Sequence, residues 1–404
     1  MTIENTKFVV QCLRCGKTFS EGFVPRCTSC NGATDITYLQ PQRIRDGQSN
    51  PMRRYFDFMP VLDIDKAIWL GAPEPTPCIH AKNLGEVIGH TRVYLKDETK
   101  HPTRTTKDRM ASGVLSYFRE IGLWEFVSSS TGNSSTSFAM GAGAHPEFTI
   151  HLYCGEAFLY AMNWPDYPNV KLYVMKGATF VEAFDFSRQA GPAAGRIMER
   201  GFFNPARRAA LKLAFFEAAE QIPGPIDWYF QATSSGMGVF GTWMGARELL
   251  KAGVIDRPPR LACIQQETCA PQVNAWKDGS REILPKHLVP QPTGPARAIM
   301  RGDPTHVYPY MQALVRESGG TFESASERQI LDAQRLIRET EGIPACAASA
   351  CTLAGLRKLI AQGTVSREET VMLNITGADR EIEHPKHYTI LERKDGGWVE
   401  SQSV

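Results

Sequence analysis

From Val93 onward, short runs of strand-forming residues alternate with stretches whose apolar residues recur at helical spacing, and this alternation restricts the fold more than any other feature of the chain. Strands are expected at 93–96, 125–130, 149–154, 171–175, 228–232, 260–265 and 370–375. Helices are expected over 107–121, 134–144, 206–221, 238–252, 326–339 and 349–361. Strands separated by helices cannot pair as tight hairpins. They pair in parallel through crossovers, and the helices cover both faces of the sheet. An α/β fold follows. Ligands in open sheets of this class lie beyond the carboxyl ends of the strands, so the polar, glycine-bearing loops that leave the strands are where chemistry is to be sought.

At 404 residues, 42% of them hydrophobic, the chain can bury a large core and supply two or three domains. Lys and Arg number 45 against 43 Asp and Glu, for a net charge of +2. With no long run of one sign, neither nucleic acid nor a membrane surface is an expected partner, whereas small charged metabolites are. No apolar stretch approaches the roughly 20 residues that span a bilayer, and the N-terminus lacks the hydrophobic core of a signal peptide. A cytoplasmic location is expected. Six of the ten cysteines (Cys78, Cys154, Cys263, Cys269, Cys346, Cys351) are scattered without a pairing pattern, as in a reducing compartment.

The other four form two Cys-x-x-Cys knuckles, Cys12/Cys15 and Cys27/Cys30, separated by eleven residues. Gly16 and Gly32 follow them and let the backbone turn tightly around an ion. Four thiolates at this spacing suit tetrahedral zinc with no open coordination position, so the metal is expected to be structural. A segment as short as 1–37 builds no core of its own and would draw folding free energy from the ion. Only Arg14, Lys17 and Arg26 are basic within it, too few for a nucleic-acid stripe. It reads as an accessory module. The irregular stretch 38–77, punctuated by Ala72-Pro-Glu-Pro-Thr-Pro77, reads as a wrapping segment.

Four loops carry chemistry. The first, His101-Pro-Thr-Arg104-Thr105-Thr106-Lys107-Asp-Arg109, joins a strand to a helix, with Thr105 or Thr106 as N-cap and Lys107 in the first turn. The positive end of a helix disfavours a second positive charge, so the position helps a lysine amine shed its proton and act as a nucleophile. Taken alone, Lys107 reads equally as a solvated residue at a helix start. In the second loop, Ser128-Ser129-Ser130-Thr131-Gly132-Asn133, hydroxyls and helix-terminal N–H groups form an anion site apt for a carboxylate or phosphate, although the same residues serve as plain turn and cap formers. The third, Thr233-Ser234-Ser235-Gly236-Met237-Gly238, leads from strand to helix through glycines that permit close backbone approach, as in a phosphate cradle. It carries no Walker lysine, and its glycine spacing is not that of a dinucleotide fingerprint. The fourth, Thr376-Gly377-Ala-Asp379, ends a buried strand with a hydroxyl.

In this order the four loops resemble those of the fold type II family of pyridoxal 5′-phosphate (PLP) enzymes, most closely its threonine synthase branch, with cysteate synthase a near relative. The similarity runs from the Cys-x-x-Cys ribbon to about Arg380 and includes Asn204-Pro-Ala-Arg-Arg-Ala-Ala-Leu-Lys-Leu213, which resembles the family's Asn-Pro-x-Arg-x-x-Gly-x-Lys-Thr segment. The resemblance implies a two-domain, three-layer α/β fold with parallel sheets, like the tryptophan synthase β subunit, and an N-terminal zinc ribbon held by Cys12, Cys15, Cys27 and Cys30. It groups 38–106 with 222–404 as the large cofactor-binding domain and leaves 107–221 as a small domain carrying the lysine. Lys107 would form the Schiff base with PLP and move substrate protons. Asn133 would meet the cofactor's phenolic oxygen, Thr233, Ser234, Ser235, Gly236, Met237 and Gly238 its phosphate, and Thr376 its pyridine nitrogen. Ser129, Ser130, Thr131 and Gly132 would hold the substrate carboxylate, with Arg104, Thr105 and Lys212 also on the substrate. A cytoplasmic homodimer acting on a small amino acid is implied.

Two places depart from the family. Arg104-Thr105-Thr106-Lys107 stands where Gly-Ser-Phe-Lys is usual, and Ala210 and Leu213 replace the usual Gly and Thr around Lys212. Arg104 either pairs with a carboxylate such as Glu98 or recognises an anionic substrate group through its guanidinium fork. The expected activity is elimination of a leaving group, phosphate foremost, from Cβ or Cγ of an amino acid followed by addition of a nucleophile. Threonine formation from O-phosphohomoserine and water is its most specific version. A cysteate synthase-like replacement on O-phosphoserine, or another specialised amino-acid synthesis, is the alternative. From a different class, a noncatalytic PLP or amino-acid binding protein whose ribbon meets a partner is the rival.

Overall fold

The computed structural model describes residues 6–20 and 22–403, so residues 1–5, 21 and 404 lie outside the description. The chain forms two compact units. One comprises Met1–Gly71, Lys107–Ala210 and Glu381–Val404, the other Ala72–Thr106 and Leu211–Arg380. Residues 38–71, grouped from sequence with the larger domain, cluster with the lysine-bearing unit. The reason is local: Ser116 and Ser112, on the helix Lys107–Glu120, accept the backbone N–H groups of Ile68 and Leu70 at 2.8 Å.

The unit Ala72–Thr106/Leu211–Arg380 is built on a six-stranded sheet in the order Thr321–Ala325, Arg260–Gln266, Trp228–Ala232, Val371–Ile375, Val93–Asp97, Cys78–His80. All neighbours are parallel except Cys78–His80, which runs antiparallel at one edge. Every residue of Trp228–Ala232 and Val371–Ile375 is buried, which requires cover on both faces of the sheet. The helices Glu327–Glu341 and Ala347–Ala361 supply part of that cover through Ile330, Ile337, Leu353 and Leu356.

The lysine-bearing unit has its own six-stranded sheet, ordered Gly397–Ser403, Thr389–Lys394, Val170–Met175, Thr149–Gly155, Glu125–Ser129, Ile197–Met198. It too is parallel except at one edge, where Gly397–Ser403 folds back on Thr389–Lys394. The α/β expectation therefore holds, with sheets that are parallel-dominated rather than wholly parallel. The N-terminal ribbon is a separate antiparallel sheet, Thr18–Phe19, Phe8–Cys12, Thr34–Tyr38. A chain of edge-on rings runs from the ribbon inward: Phe23 on Phe118 (5.1 Å), Phe118 on Phe126 (5.1 Å) and Phe126 on Phe138 (5.2 Å).

The helix expected over 206–221 is two helices, Pro205–Leu211 and Leu213–Gln221, interrupted at Lys212. The periodicity of the apolar residues runs through the break, but the packing partners change there. Ala206 and Ala210 lie against Gly113 of Lys107–Glu120, whereas Lys212 lies against Gly245 of the helix Met237–Lys251. A helix at Phe180–Ala193 was not anticipated, although Thr179 and Glu182 form a reciprocal capping box that marks its start. The hairpin at the C-terminus turns on Asp395 and Gly396, both with positive φ (50° and 79°), an Asp-Gly turn signal that sequence reading passed over.

Gly113 sets the distance between the Lys107–Glu120 and Pro205–Leu211 helices. A Cβ there would lie 2.5 Å from Ala210 Cβ and 2.8 Å from the Ala206 carbonyl oxygen, so the backbones touch with no room to spare. Gly113→Ala should gain up to ~1 kcal/mol of helix propensity and lose ~1–3 kcal/mol to overpacking. A lower midpoint in urea unfolding is the expected outcome, and an unchanged or raised midpoint would show that the two helices can part at no cost.

Candidate active site

Lys107 is the first residue of the helix Lys107–Glu120. Asp108, next to it, accepts a hydrogen bond from Ser137 Oγ at 2.7 Å, tying this first turn to the helix Asn133–Ala144. Burial foremost, and the positive Arg207 second, bring the Lys107 ammonium down from 10.5 to about 8. Arg207, in the Asn204–Leu213 segment, is an organised group. Arg207 Nε donates to Glu199 Oε2 (2.7 Å), Nη1 donates to Ser134 Oγ (3.3 Å), and Ser128 Oγ donates to Glu199 Oε1 (2.9 Å), all of them buried. A cation fixed by a carboxylate and two hydroxyls cannot swing away from a neighbouring amine. The field it exerts is built in.

The same unit holds the Ser129–Asn133 loop. Gly132 has φ 130°, and a Cβ there would meet Ala161 Cβ at 2.6 Å and its carbonyl oxygen at 2.8 Å, so only glycine fits the turn. Ser130 Oγ accepts the N–H groups of Gly132 and Ser135 at 3.1 Å each, so it satisfies a first-turn N–H of the helix Asn133–Ala144, whose N-cap, Gly132, has no side chain to do so. Its hydroxyl serves the loop's own fold. Ser129 differs: its Oγ is buried and has no hydrogen-bond partner among the described residues. A buried, unpartnered hydroxyl is costly unless a ligand meets it, and this one ends the strand Glu125–Ser129, whose loop was expected to hold a carboxylate. Thr131 and Asn133 are half-buried.

The other unit brings together Arg104, Thr105, Thr106 and Thr376. The Thr106 N–H donates to the Thr376 carbonyl (2.9 Å), Thr105 bridges Gly377, and the Ala378 N–H donates to the Arg104 carbonyl (3.0 Å). Lys107 follows Thr106 directly in the chain. Ser349 braces the strand end from the far side: its Oγ accepts from the Gly377 N–H (2.9 Å), donates to the Gly377 carbonyl (2.8 Å) and lies 3.4 Å from Thr376 Oγ1. Arg104 has φ 59° and an exposed side chain. Its pairing with Glu98 is not found: the Glu98 carboxylate accepts from Thr76 Oγ1 (2.7 Å) and from His101 Nε2 (3.1 Å), while Arg104 forms no ion pair among the described residues.

Thr233–Gly238 forms the turn into the 15-residue helix Met237–Lys251. The carbonyl of Thr233 is held by Gln265 Nε2 (3.3 Å) and that of Ser234 by Gln272 Nε2 (2.7 Å). In a trans peptide the N–H points opposite its carbonyl, so the N–H groups of Ser234 and Ser235 face away from these glutamines. They join the first N–H groups of the helix, at the positive end of its dipole. Gly236 has φ 83°, and a Cβ there would strike the Met311 side chain at 2.4 Å, while one at Gly238 would strike Gln231 at 2.5 Å. A turn of this kind is able to receive an anion. Gln265 and Gln272 were invisible as contributors because they come from a different strand and helix.

Lys212 lies elsewhere. Its Nζ donates to Glu248 Oε2 at 2.6 Å, eleven residues along the helix from Met237, or roughly 16 Å at 1.5 Å per residue from the cradle end. The cysteines, in contrast, converge as expected: the four Sγ atoms lie within 4.8 Å of one another, with Cys12–Cys30 at 3.5 Å and Cys15–Cys27 at 3.6 Å. A tetrahedron with Zn–S bonds of about 2.3 Å has edges of about 3.8 Å, so the cluster fits a zinc ion.

Residues 70–377 match the family model described as pyridoxal-phosphate dependent enzyme. Among curated proteins, the chain is similar to the threonine synthase of Methanocaldococcus jannaschii, 28% identical over 377 residues that cover 91% of each chain. It is also similar to the cysteate synthase of Methanosarcina acetivorans, 23% identical over 389 residues covering 92% of each. Among solved structures, maize serine racemase superposes with a TM-score of 0.62 at 15% identity, over 76% of this chain and 89% of that one. The processed form of threonine deaminase isoform 2 from Solanum lycopersicum superposes at 0.61 and 17% identity, over 76% and 80%. These two show the fold. No helix among the described residues is long and apolar enough to cross a membrane.

The depressed Lys107 has a sign that can be tested. Its folded pKa, about 8, lies below the ordinary 10.5, so folding carries a penalty below pH 8 that is relieved as pH rises from 8 to 10.5. The full shift is worth up to ~3 kcal/mol. Lys107→Met should therefore raise the melting temperature of the cofactor-free protein at pH 7, with the gain shrinking by pH 10. A melting temperature that falls equally at both pH values would contradict the depressed amine.

Proposed function

The chain belongs to the pyridoxal-phosphate dependent enzyme family, and on that premise we propose that it is a synthase that eliminates an anionic leaving group from an amino acid and adds a nucleophile in its place, most specifically threonine from O-phosphohomoserine and water. The observation that carries the reading is the amine of Lys107, held below the ordinary lysine range by burial and by Arg207, at the start of a helix and reached through Thr106 from the strand end that bears Thr376. Covalently bound to a lysine amine, PLP supplies an electron sink for the pair left when an amino acid's α C–H bond breaks. Lys107 Nζ would be the covalent anchor, and as a free amine it would be the base that takes the Cα proton and returns it. The Thr233–Gly238 turn, with donors at Ser234 and Ser235, would hold the cofactor phosphate. Asn133 would meet the phenolic oxygen. Thr376 would offer a hydroxyl to the ring nitrogen, and a hydroxyl does not enforce a proton there as a carboxylate would. The orphan hydroxyl of Ser129, with Thr131 and Gly132, orients the substrate α-carboxylate.

Threonine synthases at 26–29% identity stand above cysteate synthases at 23–25% among the relatives, which favours the threonine reading. One observation favours the second reading, β-replacement on O-phosphoserine: the exposed Arg104, three residues before the anchor and without an ion pair among the described residues, can take an anionic group. Lys212, expected on the substrate, is instead held by Glu248. We read the chain as a homodimer acting on a small metabolite.

Phosphate release by the cofactor-loaded protein, assayed with O-phosphohomoserine and O-phosphoserine in parallel, decides between the two readings. Release from O-phosphohomoserine with threonine as product is expected, reduced ~10²–10⁴-fold or more by Lys107→Ala. Release from O-phosphoserine alone would replace the threonine reading with the second. No release from either, with no visible absorption that depends on Lys107, would return the chain to a binding role.

A further inference from the structure

Adjacent arginines in the Pro205–Leu211 helix serve different parts of one unit. Arg207 lies within the field of Lys107, whereas Arg208, 1% exposed, faces the N-terminal ribbon. Arg208 Nη2 donates to Asp35 Oδ1 (3.1 Å) and to the Thr34 carbonyl, and Nη1 donates to the Phe202 carbonyl. Thr34 and Asp35 open the last ribbon strand, four and five residues after Cys30. Arg26, the residue before Cys27, places its guanidinium 3.6 Å from the ring centroid of Phe203, just ahead of the same helix. The ribbon also grips the Lys107–Glu120 helix. Tyr117 Oη donates to the Gly22 carbonyl (2.9 Å), and Phe23 meets Phe118 edge-on. Gly22 and Phe23 lie in the segment between the two knuckles.

The ribbon therefore holds two helices, one that begins with Lys107 and one that carries Arg207. These helices touch each other at Gly113 without spare room. The ribbon has too little apolar interior to hold its shape alone, so the four thiolates and their ion set the positions of Gly22, Thr34 and Asp35. Without a dication, four converging thiols either remain protonated or repel as thiolates, and in both cases the knuckles lose their common centre.

We propose that the four-cysteine ribbon is a positioning device for the anchor lysine, acting through Arg208 and Tyr117 to fix the lysine helix against the Arg207 helix, so that metal occupancy conditions the reactivity of Lys107. The proposal rests on the reading of Lys107 as the covalent anchor. Arg208 and Tyr117 are positioning residues, since neither touches the reacting atoms. The device uses the geometry of the ribbon and needs no open coordination site on the metal.

The test uses the full chain carrying zinc and measures the pH midpoint at which added PLP attaches to Lys107, trapped by borohydride and located by peptide mass. Wild-type protein should give a midpoint near 8. Stripping zinc with a chelator, or substituting Arg208→Ala, should raise the midpoint by about one pH unit, a tenfold loss of reactive amine below it. Arg208→Lys, which keeps the charge, should recover part of the shift. If Arg208→Ala does not fold, Tyr117→Phe, which removes one hydroxyl, carries the test with a smaller upward shift. An unchanged midpoint in zinc-free protein and in the folded variants overturns the coupling while leaving the anchor in place. Absence of any adduct on Lys107 in wild-type protein overturns the anchor reading and the coupling with it.

Discussion

The stretch that leads into Lys107 is held by backbone hydrogen bonds to the end of a buried strand. Thr106 donates to Thr376, Ala378 donates to Arg104, and Ser349 clasps Gly377 through both of its backbone groups. This short antiparallel pairing lies at the end of a fully buried strand, where the sheet leaves no freedom in register. Lys107 thus follows directly on a stretch whose backbone the end of a buried strand fixes.

Beneath that stretch lies a charged interior. Lys96 Nζ pairs with Glu217 Oε2 at 2.7 Å, both side chains wholly buried, and Thr76, Glu98 and His101 extend the network. The Ala72 N–H donates to His101 Nδ1, which leaves Nε2 to meet Glu98. Buried pairs of this kind add little net stability over apolar packing, but each group left alone costs several kcal/mol, so the network tolerates one arrangement only. Arg207 with Glu199 repeats the principle in the other unit. In both, polar groups exchange stability for specificity beside the chemistry.

Much of this was legible in the sequence because the signals were local. The strand–helix alternation, the Gly132 and Gly236 turns and the cysteine spacing each depend on residues close together in the chain, and each stands in the structure where its residue types require. What escaped was non-local or split. The 206–221 periodicity is continuous, yet the helix breaks at Lys212 because its two halves pack on different partners. Gln265 and Gln272 support the cradle from a neighbouring strand and helix, and no spacing rule links them to Ser234. Lys212 matched a motif position, but its ion pair with Glu248 depends on a helix that packs against it from 36 residues away. The capping box at Thr179 and the Asp395-Gly396 turn, by contrast, were readable and were missed.

The left-handed backbone of Arg104 sets stability and selection against each other. An L-residue with a side chain is disfavoured at φ 59° by about 1 kcal/mol relative to glycine, and the hydrogen bonds from the Arg104 N–H to His101 and from Ala378 to its carbonyl keep it there. A glycine or asparagine at this position would relax the chain, so a search for more robust variants would favour the loss of arginine. The guanidinium therefore stands on a backbone that would be more relaxed without it, so any gain from this side chain is set against a standing cost in the folded chain.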